Sequence, residues 1–143
     1  MQTDPAPAKS PFLLIFKDSG AAAYSHLTPE QREKLISDWY AWYDGLAAAG
    51  KLEGGRPLEA GGRVVSAEGG RIIDGPFAET KEVVGGYFYL TVSGLEEATK
   101  IARQCPALAL GVPMKVEVRP VADMCPVKQA DEAAKPAREL VDA

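Results

Sequence analysis

The chain has 143 residues and a net charge of −4, from 20 acidic against 16 basic side chains, and 46% of it is hydrophobic. That length and composition suit one globular domain whose core needs no covalent staple. The bases are scattered without a Lys/Arg block or stripe, which argues against nucleic acid or an anionic membrane surface as a partner.

Cys105 and Cys125 form no Cys-x-x-Cys pair, and with a single histidine in the chain there is no donor set for a Cys/His zinc site. No metal and no cofactor is expected. The longest unbroken apolar run, Phe12 to Phe16, is far too short for a membrane span. Residues 1–11 hold three prolines, lack the pattern of a signal peptide, and read as a disordered lead-in. A cytoplasmic location is the expectation.

Phe12-Leu13-Leu14-Ile15-Phe16 is rich in strand formers and predicts a central strand, with Lys17 to Leu27 as a loop. Thr28-Pro29-Glu30-Gln31 predicts a helix start: threonine caps, proline suits the first turn, and Gln31 completes a capping box. The helix should end near Ala49, with Gly50 taking the left-handed conformation beyond it. Leu35, Trp39, Trp42 and Leu46 make one apolar stripe, and Ile36, Tyr40, Tyr43 and Ala47 a second beside it. The first stripe is expected on a sheet, while Tyr40 or Tyr43 is free to meet a pocket or a partner.

Nine of the fourteen glycines fall between Gly54 and Gly86, in a stretch with four Gly-Gly pairs. Such pairs mark bulges, turns or close backbone approach. Arg63–Ala67 and Arg71–Asp74 flank Glu68-Gly69-Gly70 as a β-hairpin. In Tyr87 to Val92, Phe88, Leu90 and Val92 point one way and Tyr87, Tyr89 and Thr91 the other. Ser93-Gly94-Leu95-Glu96 predicts a second capping box, opening a helix that buries Leu95, Ala98, Ala102 and Cys105 and ends before Pro106. Lys115 to Arg119 is the last strand, with Val116 and Val118 inward. The domain is therefore placed at 12–125 and a mobile tail at 126–143.

Strand, helix, strand, hairpin insertion, strand, helix, strand is the split βαβ or ferredoxin-like order, an α+β fold with two helices on one face of an antiparallel sheet. The other face carries Tyr87 and Tyr89 and needs cover, which a second copy of the chain supplies by packing sheet on sheet.

Asp74-Gly75-Pro76-Phe77-Ala78-Glu79-Thr80-Lys81-Glu82 is the densest stretch of backbone-constraining and charged residues. It resembles the YCII-related family, in particular the DGPF-domain branch named for Asp74-Gly75-Pro76-Phe77. Gly85-Gly86-Tyr87, Leu95-Glu96-Glu97-Ala98, Cys105-Pro106 and Glu117-Val118-Arg119-Pro120-Val121 extend the resemblance over about residues 12–124. It implies the dimeric α/β barrel, in which two ferredoxin-like subunits close their sheets around a shared cavity. Some YCII-like enzymes are thought to use a histidine on the first helix with an aspartate. Asp38, Trp39 and Tyr40 stand there instead, and His26 precedes the helix. The DGPF branch also implies a functional link to an alternative sigma factor, hence a regulatory or sensing role.

Within the motif, Asp74-Gly75-Pro76 reads as a rigid Asx-type turn bonded to the backbone two residues on, with Phe77 as its apolar plug. Asp74 is the best catalytic candidate, a base facing a cavity lined by Tyr87 and Trp39. Phe77, Glu79, Lys81, Tyr43 and Arg119 complete the candidate ligand set, the two cations suiting a carboxylate or phosphate. Two functions follow: a small-molecule-binding or sensing dimer, or a cofactor-free lyase or isomerase for a small aromatic or lactone-like substrate.

Overall fold

A computed structural model describes residues 8–75 and 83–134. The first strand, β1 (Ser10–Asp18), is followed by a 3-10 helix (Gly20–Tyr24) and α1 (Pro29–Ala48). Next come β2 (Leu52–Pro57), β3 (Arg63–Val65), β4 (Ile72–Asp74) and β5 (Val83–Val92). The chain closes with α2 (Leu95–Arg103), α3 (Pro106–Ala109), β6 (Lys115–Pro120) and α4 (Pro126–Ala134). Four strands form one open sheet in the order β2-β5-β1-β6, antiparallel throughout, and β3-β4 is a separate hairpin. This is the ferredoxin-like α+β arrangement, with the hairpin inserted between the second and third strands of the main sheet.

Alternation along β1 and β5 sorts the two faces of the sheet. Phe12, Leu14 and Phe16 of β1 and Phe88, Leu90 and Val92 of β5 are buried beneath the helices. Trp39 and Trp42 of α1 close over them: the Phe16 ring lies 5.0 Å from both Trp39 and Phe88, and Trp42 lies 4.8 Å from Phe88. Most of these pairs are edge-to-face, the arrangement that ring quadrupoles favour.

The first helix follows its sequence. Gln31 N–H donates to Thr28 Oγ1 at 3.1 Å, Thr28 N–H donates to Gln31 Oε1 at 2.9 Å, and Gly50 has φ +73° just past the end. Its second stripe divides. Tyr43 packs on the core, while Tyr40 is 66% exposed and Ile36 also faces solvent. The glycine pairs act as close-approach sites. A Cβ on Gly86 would sit 2.9 Å from Arg56 O, and one on Gly55 would run into the Tyr87 carbonyl, so β2 and β5 pair only with glycine there.

Three expectations need correction. Residues 17–27 are not a loop: β1 continues through Asp18, in phase with Phe12, Leu14 and Phe16, and Gly20–Tyr24 is helical. The second capping box does not form. Gly94 is the N-cap of α2 and makes no side-chain cap, and Glu97 instead reaches back to accept Ser93 N–H at 3.0 Å. That hydrogen bond, with the Lys51 charge added, holds the Glu97 carboxyl below its usual range. The buried stripe of α2 is shifted as well: Leu95 is 56% exposed, and Ile101 fills the core beside Ala98, Ala102 and Cys105.

Helix α4 has no buried residue. Deleting residues 127–143 is expected to move Tm by less than about 2 °C in a thermal melt. Phe88→Ala, by contrast, removes the ring that Phe16, Trp39, Trp42 and Tyr43 share. It should cost about 3–5 kcal/mol in urea denaturation.

Candidate functional site

The sheet face turned away from α1 and α2 is assembled by register. Tyr89, Leu13 and Arg119 stand in one row across β5, β1 and β6. The next row runs from Arg56 of β2 through Tyr87 and Ile15 to Glu117, and Lys17 stands opposite Lys115 in the row after. Directly opposed residues of antiparallel strands share a face, so these rows make one surface. Leu13, Ile15, Tyr87 and Tyr89 are half-buried, yet none belongs to the core cluster or packs on it. The Glu117 carboxylate is held by Lys17 Nζ and, at 3.0 Å, by Arg119 Nη1. These two bonds, Lys17 first, pull the Glu117 carboxyl below its ordinary range.

Of the expected site residues, Tyr87 and Arg119 lie on this face. Trp39 and Tyr43 do not, because both pack on Phe88, whose side chain leaves β5 on the side opposite to Tyr87. No single cavity is therefore lined by Trp39 and Tyr87. Asp74 ends β4 on the separate hairpin, exposed and in register with Arg63. The turn proposed for it needs a different donor, since the residue two positions on is Pro76, which has no N–H. Phe77, Glu79 and Lys81 lie outside the described residues. His26 is exposed, with Nε2 3.4 Å from Leu110 O. Asp38, in the middle of α1, pairs with Lys34 in an exposed i,i+4 bridge.

A second group was not anticipated. Asp18 closes β1 with only 7% of its surface exposed, the one buried charged residue among those described. Gly20 N–H donates to its Oδ1 at 2.8 Å and Tyr24 O–H to its Oδ2 at 3.1 Å. Among the described residues no cation pairs with it. Gly85 makes room: a Cβ there would sit 3.1 Å from Asp18 Oδ2, at the point where the β1–β5 register slips by one residue.

Burial, helped by the Asp18 charge, pushes the Tyr24 phenol up to about 12. Burial likewise pushes the neighbouring Cys105 thiol up to about 11, so it is a core hydrophobe and no nucleophile at neutral pH. Cys125 is exposed, and both cysteines are free. The periodicity of β1 was the available signal for Asp18, an acid standing where a fourth core residue belongs.

Among the described residues no cluster of three His, Cys, Asp or Glu side chains could hold a metal ion, and no helix is long and apolar enough to cross a membrane. The ferredoxin-like sheet, with a tyrosine face that no described helix covers, defines a small α+β module. The chain belongs to the YCII-related family, whose domain model matches residues 11–122. A comparison with curated proteins returns no match.

Two outcomes follow from the Asp18 pair. A raised tyrosine pKa means that the fold prefers the neutral phenol. The stability it contributes is whole below pH 10.0, the ordinary value, and is lost as pH rises toward 12. Absorbance at 295 nm should show one tyrosine ionising near pH 12, and Tyr24→Phe should abolish that step. In urea denaturation at neutral pH, Tyr24→Phe should cost about 1–3 kcal/mol, since it strips a donor from a buried carboxylate.

Proposed function

We propose that the protein is a small-molecule-binding or sensing module of the YCII type that works as a homodimer, with two sheets facing each other around a shared cavity. One observation carries this reading. Leu13, Ile15, Tyr87 and Tyr89 form a half-buried apolar surface on a sheet face that, among the described residues, no helix covers, while the other face packs on the helices. A contiguous apolar patch of that kind on a soluble protein marks a binding surface, and closing a sheet on its own copy is an economical way to cover it. Asp74-Gly75-Pro76-Phe77 supports assignment to the DGPF branch. On that assignment rests a functional link to an alternative sigma factor; a cytoplasmic location belongs to the same reading, from an N-terminal stretch that lacks the signal-peptide pattern.

A second reading, a cofactor-free lyase or isomerase for a small aromatic or lactone-like substrate, is favoured by a different observation. Asp18 is a buried carboxylate that, among the described residues, is met only by neutral donors, and a carboxylate free of a cation is a candidate general base. In this reading Asp18, not Asp74, is the base.

Light scattering at micromolar concentration tests the first reading. A dimer is expected for the wild type and a monomer for Tyr87→Glu, and a wild-type monomer sinks it. Turnover of a lactone panel that survives Asp18→Asn unchanged removes the second.

A further inference from the structure

The charged groups of the uncovered face are unlike those of the chain as a whole. Among the described residues, the register puts Lys17, Arg56 and Arg119 there against one carboxylate, Glu117, although the protein carries a net charge of −4. Glu117 is already shared between Lys17 and Arg119. Arg56 is exposed and, among the described residues, pairs with no acid. Laying one such face on a second copy sets cations against cations where water is being excluded, and like charges in that setting repel strongly.

Each tyrosine shares its row with a guanidinium: Tyr87 with Arg56, and Tyr89 with Arg119. A guanidinium fork holds a carboxylate or phosphate through two parallel hydrogen bonds. A phenol ring beside it offers a stacking surface and a hydroxyl. We infer that the cavity closed between two copies takes a planar aromatic anion, a carboxylate or phosphate carried on a ring, and that this anion tightens the contact between the two faces. The inference rests on the reading that the sheets close on each other. It adds a linkage to that reading, because a ligand bound only by the dimer tightens the dimer.

Sedimentation velocity over a dilution series, on the full chain, reads this directly, with phenyl phosphate, benzoate, inorganic phosphate and neutral benzamide as probes. Phenyl phosphate or benzoate is expected to lower the dimer dissociation constant by at least about tenfold, inorganic phosphate by less, and benzamide not at all. Arg56→Gln and Arg119→Gln, checked for folding by circular dichroism, should dimerise with little response to either aromatic anion. An equal response to benzamide, or full response in both arginine variants, overturns the inference and leaves the dimer standing. A dimer of unchanged affinity in every probe does the same. A response to inorganic phosphate as large as that to phenyl phosphate overturns the aromatic requirement. A chain that stays monomeric in all four solutions overturns the dimer reading together with the inference.

Discussion

The contact between Phe16 and Phe88, two rings 5.0 Å apart on neighbouring strands, sets the terms for the rest of the molecule. Trp39 and Trp42 close over that pair and anchor α1 across β1 and β5. Because side chains on a strand alternate, fixing Phe88 toward the helices turns Tyr87 and Tyr89 the other way. The buried aromatic cluster and the unclosed tyrosine face are thus one decision taken once, at the register of β5. A slip of one residue there would exchange them.

Much of this was legible in the residues. The capping box of α1, the alternation of β5 and β6, the glycine turn of the hairpin and the ferredoxin-like order all follow from short-range chemistry. The misses share a cause. Ser93 and Glu96 have the spacing of a capping box, yet the cap falls on Gly94 because Ala98, Ile101 and Ala102 must face the sheet, which sets where the helix begins. Trp39 and Tyr87 both look like cavity residues until a third residue, Phe88, shows that the sheet lies between them. Neighbour relations across a sheet are invisible in a linear reading, and candidate-site residues depend on those relations more than core residues do.

Asp18 shows how the two halves of the molecule communicate. Its backbone pairs with Val83, where the chain enters β5, and its side chain holds the 3-10 helix through Gly20 and Tyr24. Lys17, next to it, points to the opposite face and bonds Glu117. Two adjacent residues at one strand end therefore tie the helix-side layer and the uncovered face to the same register slip at Gly85. Any shift of β5 relative to β1 reaches both.

The hairpin β3–β4 behaves differently. Its ladder closes on itself, Arg63 with Asp74 and Val65 with Ile72, and it takes no strand position in the four-stranded sheet. Leu58 N–H still bonds Gly85 O beyond the end of β2, so the main sheet is complete before the hairpin begins. The insertion is in that sense a separate accessory: exchanged in the laboratory for another turn, it would leave whole the hydrogen-bond ladder that carries the tyrosine face.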